Sequence, residues 1–255
     1  MFQSAKALFV LFAQLLIIPS LSLQSIKMPS TRQIDLSNVV IRNHEEKDNR
    51  AVVELTREAF WNLYVPGCDE HYLAHIMPNH ADFVPELTHV ATDDDDNDGR
   101  IIGSIMYTKS WLTNEAGDEK EIVSFGPVCV HPDFQRQGVG KKLIQHTKTL
   151  AKEMGYDAIC ILGHPSNYVT HGFRSCRDFN MTMDGERYPY GLLVLELQAG
   201  ALKDHSWILR QSDIYNVDQD KVAEFDKQFP EKEKKYQPSQ TLFEMACQAF
   251  ILDTE

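Results

Sequence analysis

Seven consecutive residues carry the clearest chemistry in the chain: Gln135, Arg136, Gln137, Gly138, Val139, Gly140 and Lys141. They follow the apolar run Val128-Cys129-Val130 and the breaker His131-Pro132. A strand that stops at proline, turns through a polar loop and opens a helix is the reading of that pattern. Glycines at the turn let backbone approach a ligand without a Cβ in the way. The first N–H groups of a helix have no internal acceptor, and the helix dipole makes that end electropositive. Arg136 and Lys141 add full charges, so the stretch reads as an anion cradle suited to a pyrophosphate. It is not a Walker loop, which needs Gly-x-x-x-x-Gly-Lys-Ser/Thr, nor a dinucleotide fingerprint, which needs three glycines. On its own, the pair of glycines also fits plain strand-to-helix packing.

Two patterns in the sequence look like metal sites. Cys68, His71, His75 and His80 contain a His pair on one helical face, but Tyr72 stands where a zincin has glutamate. Asp94-x-Asp96-x-Asp98-Gly99 begins like a calcium loop, yet Ile105 replaces the bidentate glutamate at the twelfth position. The first set reads as helix-face residues and the second as a solvated hairpin tip, so no metal is expected.

The elements that must position the loop can be read from periodicity. Val39 to Arg42 predicts a strand, and Asp48 to Trp61 a helix with Val52, Val53, Leu55, Ala59 and Phe60 at helical spacing. A second helix from Gly67-Cys68-Asp69 through Ile76 ends at Met77-Pro78-Asn79. Thr88–Thr92 and Arg100–Thr108 predict a hairpin, Glu121–Val130 the next strand, and Gln137–Met154 a helix closed by Gly155. Asp157–Leu162, a helical turn at Asn167–His171 and a strand at Leu192–Leu197 follow. The order β-α-α-β-β-β-α-β-α-β predicts a mixed α/β sheet with helices on both faces. Residues 37–200 form that domain, and 201–255 a C-terminal extension, partly helical over Ser239–Leu252, which would pack on the domain or on a second subunit.

At 255 residues, with 43% hydrophobic and 24% charged residues, the chain has the composition of a soluble globular domain. The net charge of −12 argues against nucleic acid, whose phosphates need basic clusters. The five cysteines have neither zinc nor redox spacing, and Cys129 and Cys160 sit in apolar runs as small core residues. Residues 1–27 have two readings. Ala7 to Ile18 followed by Ser20-Leu21-Ser22 has the form of a secretory signal, and the run is too short to span a bilayer. Equally, it is an extension upstream of a core that starts near Met28. Asn180-Met181-Thr182 matches a glycosylation acceptor by chance, inside the folded region.

The strand and the spacing Gln135-x-x-Gly138-x-Gly140 together resemble the acetyl-CoA-binding motif of the GCN5-related N-acetyltransferase (GNAT) superfamily. Further segments resemble its YhbS-like branch: Gly67-Cys68-Asp69-Glu70-His71-Tyr72-Leu73, Phe83-Val84-Pro85-Glu86-Leu87, Phe125-Gly126-Pro127-Val128, Gly163-His164-Pro165 with Tyr168, His171-Gly172-Phe173 and Phe225 to Pro230. The resemblance runs from about Val39 to Lys235. It implies the GNAT fold, a central mixed but mostly antiparallel sheet in which Glu121–Val130 splays from Asp157–Leu162. The pantetheine arm of acetyl-CoA would lie in that gap, paired with backbone of Val128 and Val130, and Gln135–Lys141 would hold the pyrophosphate. Tyr168 would protonate the departing thiolate, a role for which a phenol with pKa near 10 is suited. Asn167 would contact the cofactor, although Asn167-Tyr168 replaces the paired aromatics of close relatives. The implied reaction is acetyl transfer to a small-molecule or peptide amine by direct attack. Acetyl-CoA chemistry favours the cytoplasm, with residues 1–22 leaving a secretory route as the alternative.

A base must take a proton from the attacking ammonium. Glu121, His131 and Glu70 are candidates, with none preferred on sequence. Cys129, on the cofactor strand, is a weak alternative nucleophile and reads better as a core thiol. A non-catalytic acyl-CoA sensor on the same fold is the rival function.

Overall fold

The computed structural model describes residues 33–94 and 99–252. The signal-like segment and most of the acidic run Asp94–Asp98 therefore lie outside the described residues. The chain runs β1 (Val39–Asn43), α1 (Asn49–Phe60), α2 (Glu70–Ile76), β2 (His89–Asp93), β3 (Ile101–Asn114), β4 (Glu119–Val130), α3 (Val139–Glu153), β5 (Ala158–Leu162) and the single-turn α4 (Pro165–Tyr168). It continues with β6 (Arg174–Ser175), β7 (Met181–Thr182), β8 (Tyr188–Pro189), β9 (Leu192–Glu196), β10 (Trp207–Gln211), α5 (Gln219–Asp226), α6 (Pro238–Cys247) and β11 (Phe250–Ile251).

The main sheet runs β1-β2-β3-β4-β5-β9-β6, antiparallel along that path except for the β4–β5 pair, with β10 joined antiparallel to β3 and parallel to β7. Alternation of side chains sends residues to two cores. Met106, Leu112, Ile122, Cys129 and Cys160 face α1, α2 and the C-terminal helices. Ile105, Tyr107, Val123, Phe125, Val128 and Val130 face α3. Helix α1 follows the expected apolar stripe, burying Val52, Val53, Leu55 and Phe60. Gly103 lets α3 lie close on β3, since a Cβ there would approach Leu143 Cδ1 to 3.0 Å.

Three departures from the sequence expectation affect the site. Helix α3 begins at Val139 rather than Gln137, because Gly138 takes a left-handed conformation (φ 99°) as its N-cap. Strand β3 is longer than expected: its first half pairs with β2 and its second half with β10. Strand β10 thus joins the main sheet beyond residue 200, where an extension was expected to begin. The terminal helix ends at Cys247, and the chain then adds β11 to β8.

Candidate active site

Strands β4 and β5 run parallel and share a single register pair, Val123 with Ile159. Beyond it β4 continues to Val130 with no strand partner on that edge among the described residues, so the two strands diverge. The His131 N–H donates to the Ile102 carbonyl at 2.8 Å, which fixes the alternation of the strand end. Cys129 and His131 therefore turn their backbone groups toward β3, and Val128 and Val130 turn theirs into the gap. A β-bulge between Ile105 and Tyr107 sits opposite Gly126-Pro127 and resets the register just before these residues. One group in the gap is already engaged: Gln135 Nε2 donates to the Val130 carbonyl at 3.0 Å. The groups of Val128 and the N–H of Val130 are what the open edge offers an extended ligand.

The loop after β4 is held by its own glutamines. Gln137 Nε2 donates to the Asp133 carbonyl (3.2 Å), and Gln137 Oε1 accepts from the Ile34 N–H (2.9 Å). Arg136 (φ 65°) and Gly138 are both left-handed, which curls the backbone ahead of the free N–H groups of the first turn of α3. A Cβ on Gly138 would come within 2.9 Å of Leu36 Cδ1. Arg136 and Lys141 are exposed and have no ion-pair partner among the described residues. Lys142 instead donates to the carbonyls of Leu36 and Val39, tying the N-terminal segment down. A groove of about 730 Å³ follows one face of α3 along its whole length, from Leu36, Gly138 and Lys141 to Leu150 and Glu153. Across the gap, Lys148 Nζ donates to the His171 carbonyl at 3.3 Å, so α3 is fastened to the turn that carries Tyr168.

Tyr168 ends α4 and is almost completely buried. Its ring meets Phe125 of β4 at 5.9 Å and Phe173 at 5.6 Å between centroids. Burial pushes the phenol well above its ordinary pKa, with Tyr64 and Tyr107 adding to the effect. Tyr64 belongs to the core on the opposite face of the sheet, so Tyr168 reaches across the divergence of β4 and β5. The phenol therefore stays protonated at physiological pH, and the same burial makes it a weaker acid than a solvated tyrosine. Gly163 explains how the ring fits. A Cβ there would lie 2.6 Å from Tyr168 Cε2 and 3.2 Å from Cδ2. Asn167, half-buried beside it, donates its N–H to the His164 carbonyl at 3.0 Å.

The three base candidates separate. Glu121 is half-exposed and pairs with Lys109 at 3.1 Å. His131 lies 2.8 Å from Arg100 Nη2 and accepts from the Asp133 N–H; burial and Arg100 lower its pKa. Glu70 is 5% exposed, has no ion-pair partner among the described residues, and accepts from the Asp69 N–H at 3.1 Å. Burial, then the charge of Asp69, raise its pKa to about 8. A buried carboxyl poised near neutrality is the form expected of a general base.

Cys129 is buried against Thr56 Oγ1 (3.6 Å), and burial pushes its thiol up to about 12. The thiolate needed for nucleophilic attack is strongly disfavoured. The cysteine–histidine set is dispersed. His71 Nδ1 lies 3.3 Å from Cys68 Sγ with Nε2 toward Asp226, while His75 stacks on Phe225 at 4.4 Å. His80 instead stands with Asp82 and Asp213. Sequence reasoning missed Tyr64 and the reason for Gly163, because both depend on what folds against them.

Residues 54–174 match the family model described as the Acetyltransferase (GNAT) family. Over 79 residues the chain is 32% identical to the uncharacterised N-acetyltransferase YjhQ of Escherichia coli, covering 31% of this chain and 43% of YjhQ. It is 30% identical over 84 residues to the uncharacterised N-acetyltransferase YhbS of Escherichia coli, covering 33% of this chain and 47% of YhbS. The match thus spans less than half the length of these curated relatives. The crystal structure of Escherichia coli YhbS in complex with CoA shares the fold with a TM-score of 0.60 at 21% identity, over 71% of this chain and 93% of that one. A GNAT family acetyltransferase from Brucella melitensis in complex with acetyl-CoA gives 0.55 at 19% identity, over 69% and 97%.

Proposed function

We propose that the chain, whose residues 54–174 match the GNAT family model, transfers an acetyl group from acetyl-CoA to an amine by direct attack in a ternary complex. The observation that carries the proposal is Tyr168, a buried phenol lying against Phe125 where β4 and β5 diverge. A non-catalytic sensor has no use for a proton donor at that point.

Acetyl-CoA supplies an activated acyl group on a thiol leaving group. The chain's residues fit it along the whole gap. The curled backbone at Arg136–Gly138, the first turn of α3 and the charges of Arg136 and Lys141 receive the pyrophosphate, with Gln135 and Gln137 bracing the loop. The open edge at Val128 and the Val130 N–H hold the extended arm as an added strand. The Val128 N–H polarises the thioester carbonyl, and Tyr168 delivers a proton to the departing sulfur. Glu70 takes the proton from the incoming ammonium, directly or through water. Holding amine and thioester together supplies much of the rate. The acidic chain favours a cationic amine in approach rather than in specificity.

The test is release of free CoA thiol from acetyl-CoA across an amine panel, wild type against Tyr168→Phe. Turnover with at least one amine, lost in the variant, is expected. Tight CoA binding with no turnover for any amine would favour the sensor instead.

A further inference from the structure

The C-terminal segment is fastened at two places, one beside Tyr64 and the other on the stretch that bonds Gly163, and both of those residues neighbour Tyr168. At one end it is clasped by Asn62, in the loop between α1 and α2. Asn62 Nδ2 donates to the Glu233 carbonyl (2.9 Å), its Oδ1 accepts from the Lys235 N–H (3.0 Å), and its own carbonyl accepts from Gln240 Nε2 (3.0 Å). Ser239 Oγ donates to the Leu63 carbonyl (2.7 Å), and Trp61 Nε1 to that of Glu233 (3.0 Å). Phe243 of α6 then packs on Tyr64 with ring centroids 4.8 Å apart, both nearly free of solvent. At the other end Phe250 and Ile251 pair with Pro189 and Tyr188, and the Tyr190 N–H donates to the Ala249 carbonyl at 3.0 Å. The next carbonyl, of Gly191, accepts from the Gly163 N–H at 2.8 Å. Gly163 is the residue against which the Tyr168 ring lies.

We propose that residues 233–251 form a roof over the acceptor side of the Tyr168 centre, fastened at both ends, which admits small free amines and excludes lysines on folded proteins. The inference rests on Tyr168 marking the reacting centre. Its physical basis is the double attachment. Displacing the segment enough to dock a protein surface means breaking the Asn62 clasp and uncovering Phe243 and Tyr64 together. An amine with little attached to it needs no such opening. Leu242 and Met245, on the outer side of α6, stay exposed, so the helix buries one face against the domain and turns the other to solvent.

The test uses binding as well as turnover. CoA conjugates are prepared in which an acetyl bridge joins the sulfur to a small alkyl amine or to a lysine of a folded carrier protein. Wild type should bind the small conjugate about tenfold or more tightly than the carrier conjugate. Two variants loosen the roof outside the cofactor site. Asn62→Gly keeps the left-handed backbone (φ 62°) while deleting the two side-chain bonds of the clasp, to Glu233 and Lys235. Phe243→Ala removes the contact with Tyr64. Both should narrow the difference to about threefold or less with CoA affinity unchanged, and amides of 238–251 should exchange faster while those of β5 do not. Equal binding of the two conjugates by wild type would overturn the roof. So would an unchanged difference in variants whose 238–251 amides do exchange faster. Failure of the acetyltransferase reading looks different: no amine is acetylated, yet discrimination between the conjugates persists.

Discussion

Replacing Gly163 by alanine tests the placement of Tyr168 without touching its hydroxyl. The Gly163 backbone is not left-handed, so alanine is conformationally acceptable and the effect is steric. The added Cβ would stand 2.6 Å from Tyr168 Cε2, 3.2 Å from Cδ2 and 3.5 Å from Cζ. Carbon atoms rest at about 3.5–4.0 Å, so the ring must withdraw by about 1 Å. Phe125 and Phe173 wall the ring on two sides, so its withdrawal meets packed aromatic neighbours. Overpacking of this kind costs about 1–3 kcal/mol of stability. A displacement of about 1 Å in a positioned catalytic group lowers turnover about 10²-fold. The assay is thiol release at saturating acetyl-CoA, with thermal unfolding to confirm a folded enzyme. A double-mutant cycle with Tyr168→Phe separates the two readings of the result. If Gly163 acts through the phenol, the double variant is no slower than Tyr168→Phe alone. Full activity in a folded Gly163→Ala enzyme, or losses that simply multiply in the double variant, would refute the positioning of Tyr168 by Gly163.

Glu70→Gln should lower kcat about 10²–10⁴-fold and remove a rise of kcat/KM with pH centred near 8. Its effect on stability has the opposite sign. The folded-state pKa lies above the unfolded value, so the protonated carboxyl favours folding at low pH, and that contribution is lost as pH rises toward about 8. Chemical unfolding should therefore find Glu70→Gln more stable than wild type above pH 8, with the difference gone near pH 4. Arg136→Ala should weaken CoA about 10–100-fold by calorimetry, the loss of a charged hydrogen bond, and should flatten the salt dependence of binding. Cys129→Ala should keep kcat within about twofold, at a core cost of about 1 kcal/mol, with no acetylated enzyme seen by mass spectrometry in either protein.

The strand, loop and helix around Gln135–Lys141 were legible because Val128 and Val130 alternate, proline stops the strand, and glycine marks the left-handed turn. What the sequence could not display is which backbone groups stay free. The Val130 carbonyl is taken by Gln135, a contact between a side chain and a backbone group five residues away. Glu70 was indistinguishable from Glu121 as a letter, and burial alone set them apart. Strand β10 went unread because Trp207 to Gln211 is short and follows a charged turn, so only pairing with the distant β3 makes it a strand. The C-terminal residues gave a helix but not its destination, since Phe243 meets Tyr64 only in the folded chain.

The most direct measurement of the central claim is acetyl transfer itself: CoA thiol release and acetylated product from a broad panel of amines, for wild type and Tyr168→Phe at matched CoA occupancy. Direct transfer with a phenolic acid predicts product with at least one amine and a fall of about 10²–10⁴-fold in kcat for the variant, with CoA affinity unchanged. Tight CoA binding without product from any amine would contradict it, as would a Tyr168→Phe enzyme that turns over like wild type.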